Sequence, residues 1–145
     1  MMIEGVLVTP LKVVEVSGGD VLHAMKCEDP GFQGFGEAYF SIVERGAVKA
    51  WKRHHDMTMN LVVPVGSIRF VMYDERPDSA TFGNHQVVEL SRNNYARLTI
   101  PCMVWFGMQG QSDEINILLN IANIMHDYRE CERKDVDEIK YSWGE

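Results

Sequence analysis

No apolar run in this chain approaches the roughly 18 residues that a membrane-crossing helix needs. The opening MMIEG carries an acid where a secretory leader carries positive charge, so the pattern predicts a soluble, cytoplasmic protein. Cysteine is scarce: Cys27, Cys102 and Cys131 are odd in number, widely spaced and without a C-x-x-C pair, which argues against a disulfide framework and a cysteine zinc site. Positive charge is scarce too. Fourteen Lys and Arg against 21 Asp and Glu leave a formal net charge of -7, and the cations are scattered, which excludes nucleic acid or an anionic membrane as the main partner. Internal repeats, low-complexity tracts and interior linkers are missing. The 145 residues therefore read as one domain, long enough to bury roughly 68–70% of the surface of the unfolded chain.

A convincing long helix is also missing, and in its place stands a succession of short strand patterns separated by turn residues. GVLVTPLKVVEV reads as one or two short strands broken at Pro10, which cannot donate to a sheet ladder and belongs at an edge or bend. Val21–Met25, Glu37–Val43, Thr58–Val65, Ser67–Tyr73 and Gln86–Leu90 follow, and two apolar runs flank Pro101 between Ala96 and Met108. Ile115–Ile124 is taken as a strand despite its leucine and alanine content, and Ile139, Tyr141 and Trp143 alternate like a closing strand. The charged stretch before them, HDYRECERKDVDE, is expected on the surface. About ten strands with frequent turns predict an all-β, antiparallel sandwich or barrel, with a jelly roll the natural candidate.

One stretch stands apart. From Gly46 to Gly66, basic and imidazole side chains interleave with strand-forming apolar residues. Side chains of a strand alternate between faces, so a strand over Val48–His54 places Ala50, Lys52 and His54 on one face and Lys49, Trp51 and Arg53 on the other. Lysine and histidine two residues apart on one face are suited to proton transfer. The imidazole titrates near neutrality, and the lysine serves either as an ammonium holding a developing oxyanion or, if burial lowers its pKa, as the base itself. The plain alternative for the pair is structural hydrogen bonding at a barrel mouth.

The order of motifs resembles the dTDP-4-dehydrorhamnose 3,5-epimerase family of the cupin superfamily, over about Gly19 to Trp143. Phe35-Gly36-Glu37-Ala38-Tyr39 resembles the family's F-x-E-x-Y, and Val48 to His54 resembles V-L-R-G-L-H-x-Q. Val65-Gly66, Asp74, Leu90-Ser91 with Asn94, Ile100-Pro101 to Gly107, and Ile139 to Trp143 continue the series. The resemblance implies a cupin-type double-stranded β-helix and a homodimer. It also implies metal-free epimerisation or isomerisation of a nucleotide-linked 4-keto-6-deoxy sugar in cell-surface polysaccharide synthesis. It places Lys49 where the family has an arginine gripping the nucleotide diphosphate, and Glu37 where it has a pocket glutamate supplied across the dimer. Lys52 stands where the family has its catalytic histidine, Met59 about where a lysine supports the keto oxygen, and Leu119 about where a general-acid tyrosine stands. Against the metal-binding cupin pattern, only His54 of four ligands is present, and one imidazole does not make a metal site, so no metal or other cofactor is expected.

The candidate catalytic residues are thus Lys52 and His54. Substrate contacts are expected from Glu37 and Lys49, from Tyr39 and Trp105 by stacking on a base or sugar, and from His126, which is placed to close over the barrel mouth. A second reading, motivated by the departures from the family's catalytic set, is a non-catalytic cupin that binds a sugar nucleotide or carbohydrate.

Overall fold

The computed structural model describes residues 2–144 and contains twelve strands and one short 3-10 turn. In chain order these are β1 (Leu7–Pro10), β2 (Val13–Val14), β3 (Val21–Leu22), β4 (Glu37–Ile42), β5 (Val48–His54) and β6 (Met59–Val65). Then come β7 (Ser67–Tyr73), β8 (His85–Ser91), β9 (Ala96–Ile100), β10 (Trp105–Gly110) and β11 (Ile117–Ala122). After the 3-10 turn at Tyr128–Glu130, β12 (Cys131–Arg133) closes the set. The ladders between these strands are all antiparallel.

Two five-stranded sheets face each other, one in the order β1-β9-β6-β11-β4 and the other β12-β5-β10-β7-β8, with β2 and β3 forming a separate hairpin. Consecutive strands alternate between the sheets often enough to wind the jelly roll that the strand spacing predicts. Pro10 ends β1, the outermost strand of its sheet, where a missing N–H leaves no gap in the interior ladder. Between β6 and β7 the chain reverses at Gly66, whose φ of 81° suits glycine and where an added Cβ would stand 2.4 Å from Asn116 Oδ1. Asn116 takes that space and accepts from the Ser67 backbone N–H.

The inner faces of the sheets, with Met57 from the β5–β6 connection, supply a core that includes Leu61, Val63, Ile68, Phe70, Met72, Leu98 and Ile100, all at most 1% exposed. The polar connection after β7 is pinned by the buried Asp74 carboxylate, which accepts from Arg76, Ser79 Oγ and Thr81 Oγ1. Burial alone would raise that carboxyl, but these donors hold it well below the usual range.

The chain after β11 differs from the expected surface tail. β12 adds an edge strand beside β5, with Arg133 opposite Lys52, and Trp51 and Lys134 exchange backbone hydrogen bonds of 3.0 and 3.1 Å. Ile139 to Trp143 is not a strand: it forms no ladder, and Ile139 and Trp143 instead cover the outer face of the second sheet together with Trp51, Val71 and Trp105. The alternation of apolar residues there reflects docking onto that face, since anchoring alternate side chains needs no backbone pairing.

Candidate active site

β5 carries the site because its register with β10 is broken once. Lys52 lies opposite Phe106 and Ala50 opposite Gly107, so Trp51 is an extra residue in the ladder. Such a bulge turns the residues before it by one position. Lys49, paired with Met108, therefore shares a face with Lys52 and His54, contrary to the strict alternation expected from the sequence. Gly107 makes room for this. A Cβ there would meet Ala50 Cβ at 2.6 Å and the Trp143 ring at 3.0 Å.

A cavity of about 680 Å³ opens between the sheets, within the range of small-molecule sites. Lys49, Lys52, Phe106 and Met108 line one wall, Tyr39 and Leu118 the other, and Arg133 and Asp135 of the C-terminal segment contribute to the rim. Burial pushes the Lys52 amine below the ordinary lysine value, with Arg133 lowering it further, while Cys131, Glu130 and Glu37 pull the other way. Lys49 is held at the mouth by donating through Nζ to the Ile42 carbonyl at 2.8 Å.

His54 is 3% exposed and lies behind Lys52, its ring stacked on Phe106 with centroids 6.1 Å apart. Its Nδ1 pairs with the Glu130 carboxylate, whose other oxygen accepts from the backbone N–H groups of Asp56 and Met57 at 3.2 and 3.3 Å. Among the described residues, nothing partners the enclosed Nε2. Burial holds the imidazole below its usual pKa against the pull of Glu130. Burial would raise Glu130, but the bonds from His54, Asp56 and Met57 keep its carboxyl below the usual range. The result is a neutral imidazole in one tautomer, oriented by a carboxylate.

On the opposite wall, Glu37 and Tyr39 lie on the same face of β4. Glu37 Oε1 is enclosed without a partner among the described residues, and its charge reaches Lys52. Tyr39 lines the cavity, and its hydroxyl accepts from Asn120 Nδ2 at 3.1 Å. Asn120 is the polar residue of β11 on this face, whereas Leu119, opposite Phe40, faces away.

Three of the seven expected residues, Lys52, Lys49 and Tyr39, thus line one cavity, while His54 and Glu37 are set back from its lining, with His54 buried and Glu37 on the same strand face as Tyr39. Trp105 is not brought there. It is buried on the outer face of the second sheet, donating Nε1 to Glu75 at 2.8 Å with the Arg53 guanidinium 4.7 Å above its ring, because Phe106 and not Trp105 takes the inward position on β10. His126 is exposed and outside the cavity lining, although its charge reaches His54. Glu130 and Asn120 were missed. Glu130 sits among charged residues beside a three-residue strand, too short for a periodic signal. Asn120 sits in an apolar strand whose inward face only the register defines. Among the described residues, no three His, Cys, Asp or Glu side chains converge as metal ligands.

Two facing antiparallel sheets with polar groups projecting into the cavity between them define a jelly-roll protein of the cupin kind. More narrowly, the chain belongs to the dTDP-4-dehydrorhamnose 3,5-epimerase family, whose model matches residues 3–144. It is 42% identical to the dTDP sugar isomerase of Desulfovibrio desulfuricans G20, covering 97% of this chain and 92% of that one with a TM-score of 0.93. It is 32% identical over 105 residues to the "Probable low-salt glycan biosynthesis epimerase Agl13" of Haloferax volcanii, matching 72% of this chain. The match spans 65% of that relative's length. The spore coat polysaccharide biosynthesis protein SpsL of Bacillus subtilis is 25% identical over 147 residues, 99% of this chain and 97% of its own.

Proposed function

We propose that the protein epimerises or isomerises a dTDP-linked 4-keto-6-deoxy sugar in cytoplasmic supply of a surface polysaccharide, with Lys52 as the proton acceptor. The observation that carries this reading is the position of Lys52: half-buried on the cavity wall, its amine kept below the ordinary pKa, and next to a buried His54 and Glu130 pair. A carbon beside a ketone loses its proton to a base, and burial shifts Lys52 toward the neutral amine that can accept it. His54 stands two residues farther along the same face, buried and oriented by Glu130.

At the mouth, Lys49 and Arg133 supply the cations for a diphosphate. Glu37, set back from the cavity lining, contributes a negative charge that reaches Lys52. The chain works as a homodimer, a reading supported by β4. That strand is the last of its sheet, and Phe40 and Ile42 on its outer face are 69% and 54% exposed. The reaction is tested by proton NMR of dTDP-4-keto-6-deoxyglucose in deuterated buffer. Loss of signal at a carbon flanking the ketone supports it, and binding without exchange favours a non-catalytic sugar-nucleotide protein.

A further inference from the structure

Removing a proton beside a ketone leaves a planar carbon, and configuration inverts only if a second group returns a proton to the opposite face. The two walls of the cavity belong to different sheets. Lys52 is on β5, and the facing wall is built from β4, β6 and β11. That wall is mostly apolar, with Met59, Leu61 and Leu118, and its polar side chains lining the cavity are Tyr39 and Ser41. Of those two hydroxyls, the phenol is the stronger acid by its chemistry and the one suited to general-acid donation, whereas an alkyl hydroxyl is not. Glu37 shares the inner face of β4 but does not line the cavity, and its Oε1 is enclosed.

The hydrogen-bond direction matters. Asn120 Nδ2 donates to the Tyr39 oxygen, so that bond does not engage the phenol's own hydrogen, which stays available to a substrate. The same bond favours the phenolate left after donation. Asn120 is fully buried, which fixes the donor in place. From this placement we infer that Tyr39 is the proton donor of an inverting reaction, with Asn120 as its positioning residue. The inference rests on the epimerase reading above and assigns it a stereochemical course.

Each step balances. The neutral Lys52 amine takes the proton, and the C–H electron pair passes into the enolate. The Tyr39 O–H bond then breaks, and the enolate pair forms the new C–H bond on the other face. An ammonium and a phenolate remain, and solvent carries the proton from one to the other.

The test uses the full chain, its Tyr39→Phe and Asn120→Ala variants, and dTDP-4-keto-6-deoxyglucose as probe. Proton NMR in deuterated buffer reads exchange, and borohydride reduction followed by sugar analysis reads inversion. Tyr39→Phe removes one oxygen from a partly exposed side chain, and calorimetric binding of dTDP checks that the site is intact. Its inversion should fall at least about 100-fold while exchange stays within about tenfold of the parent. Exchange persists because an ammonium carries three hydrogens, so the proton returned to the original face is mostly solvent deuterium. Asn120→Ala should keep exchange, slow inversion and raise the apparent pKa of the donor in the pH profile of inversion.

Inversion by Tyr39→Phe at the parental rate would overturn the assignment and leave the epimerase reading standing. Parallel loss of exchange and inversion with dTDP binding intact would also overturn it, since Tyr39 would then act on binding or on proton removal. No exchange by the unaltered protein would overturn both readings.

Discussion

Replacing Lys52 by methionine keeps much of the length of the side chain and removes its amine. Exchange at the carbon flanking the ketone should fall by about 100-fold or more in Lys52→Met, and dTDP affinity should stay within about threefold, as measured by NMR and calorimetry. With the neutral amine as the proposed acceptor, kcat/KM of the parent should rise with pH through a pKa below the ordinary lysine value, the direction in which burial moves Lys52. Glu130 bears on stability as well. Glu130→Ala leaves His54 Nδ1 and two backbone N–H groups without their acceptor, which costs about 1–3 kcal/mol, read as a lower urea midpoint at pH 7. The pH dependence follows from the same pair. Glu130 has a folded pKa below its unfolded one, so its contribution is full above the unfolded value and disappears as pH falls through the folded value. His54 is also lowered, so the unfolded state binds its proton first, and stability declines as pH drops below the unfolded histidine value. Both effects make the protein less stable in acid, and Glu130→Gln should flatten the part of a pH–stability curve that Glu130 contributes.

At the scale of elements, β5 and the C-terminal segment decide the site. Strand positions were legible because alternation and turn residues are local, and the shared face of Lys52 and His54 followed from the two-residue period beyond the bulge. Lys49 was assigned to the wrong face because one extra residue at Trp51 reverses the period, and a bulge is set by the partner strand, here by Gly107 and the space it leaves. Trp105 was read as a ligand contact for the same reason: which side of β10 faces inward depends on pairing. The charged segment around Glu130 read as surface because its burial comes from docking on β5, a long-range contact with no local signature. Trp143 anchors that segment on Trp51, at 5.3 Å between ring centroids, and is 8% exposed. Trp143→Ala should therefore lower stability by about 3–5 kcal/mol in urea unfolding, and the disturbed docking of the segment should reduce turnover as well.

For the molecule as a whole, the jelly roll supplies two stiff walls and leaves Lys52 and Tyr39, the proposed catalytic groups, facing one cavity. It also leaves β4 as an open edge beside that cavity, with apolar side chains turned outward. The proposed homodimer should run at twice the chain mass by light scattering after size exclusion, and Phe40→Glu, which places a charge on this edge, should convert it into a monomer. Because Glu37 and Tyr39 lie on the same strand, turnover should fall along with the dimer. The most direct measurement is the exchange experiment on the unaltered protein with dTDP-4-keto-6-deoxyglucose in deuterated buffer. The proposed chemistry predicts time-dependent loss of the proton signal at a carbon flanking the ketone, abolished in Lys52→Met. An unchanged spectrum in the presence of protein that binds dTDP would contradict it.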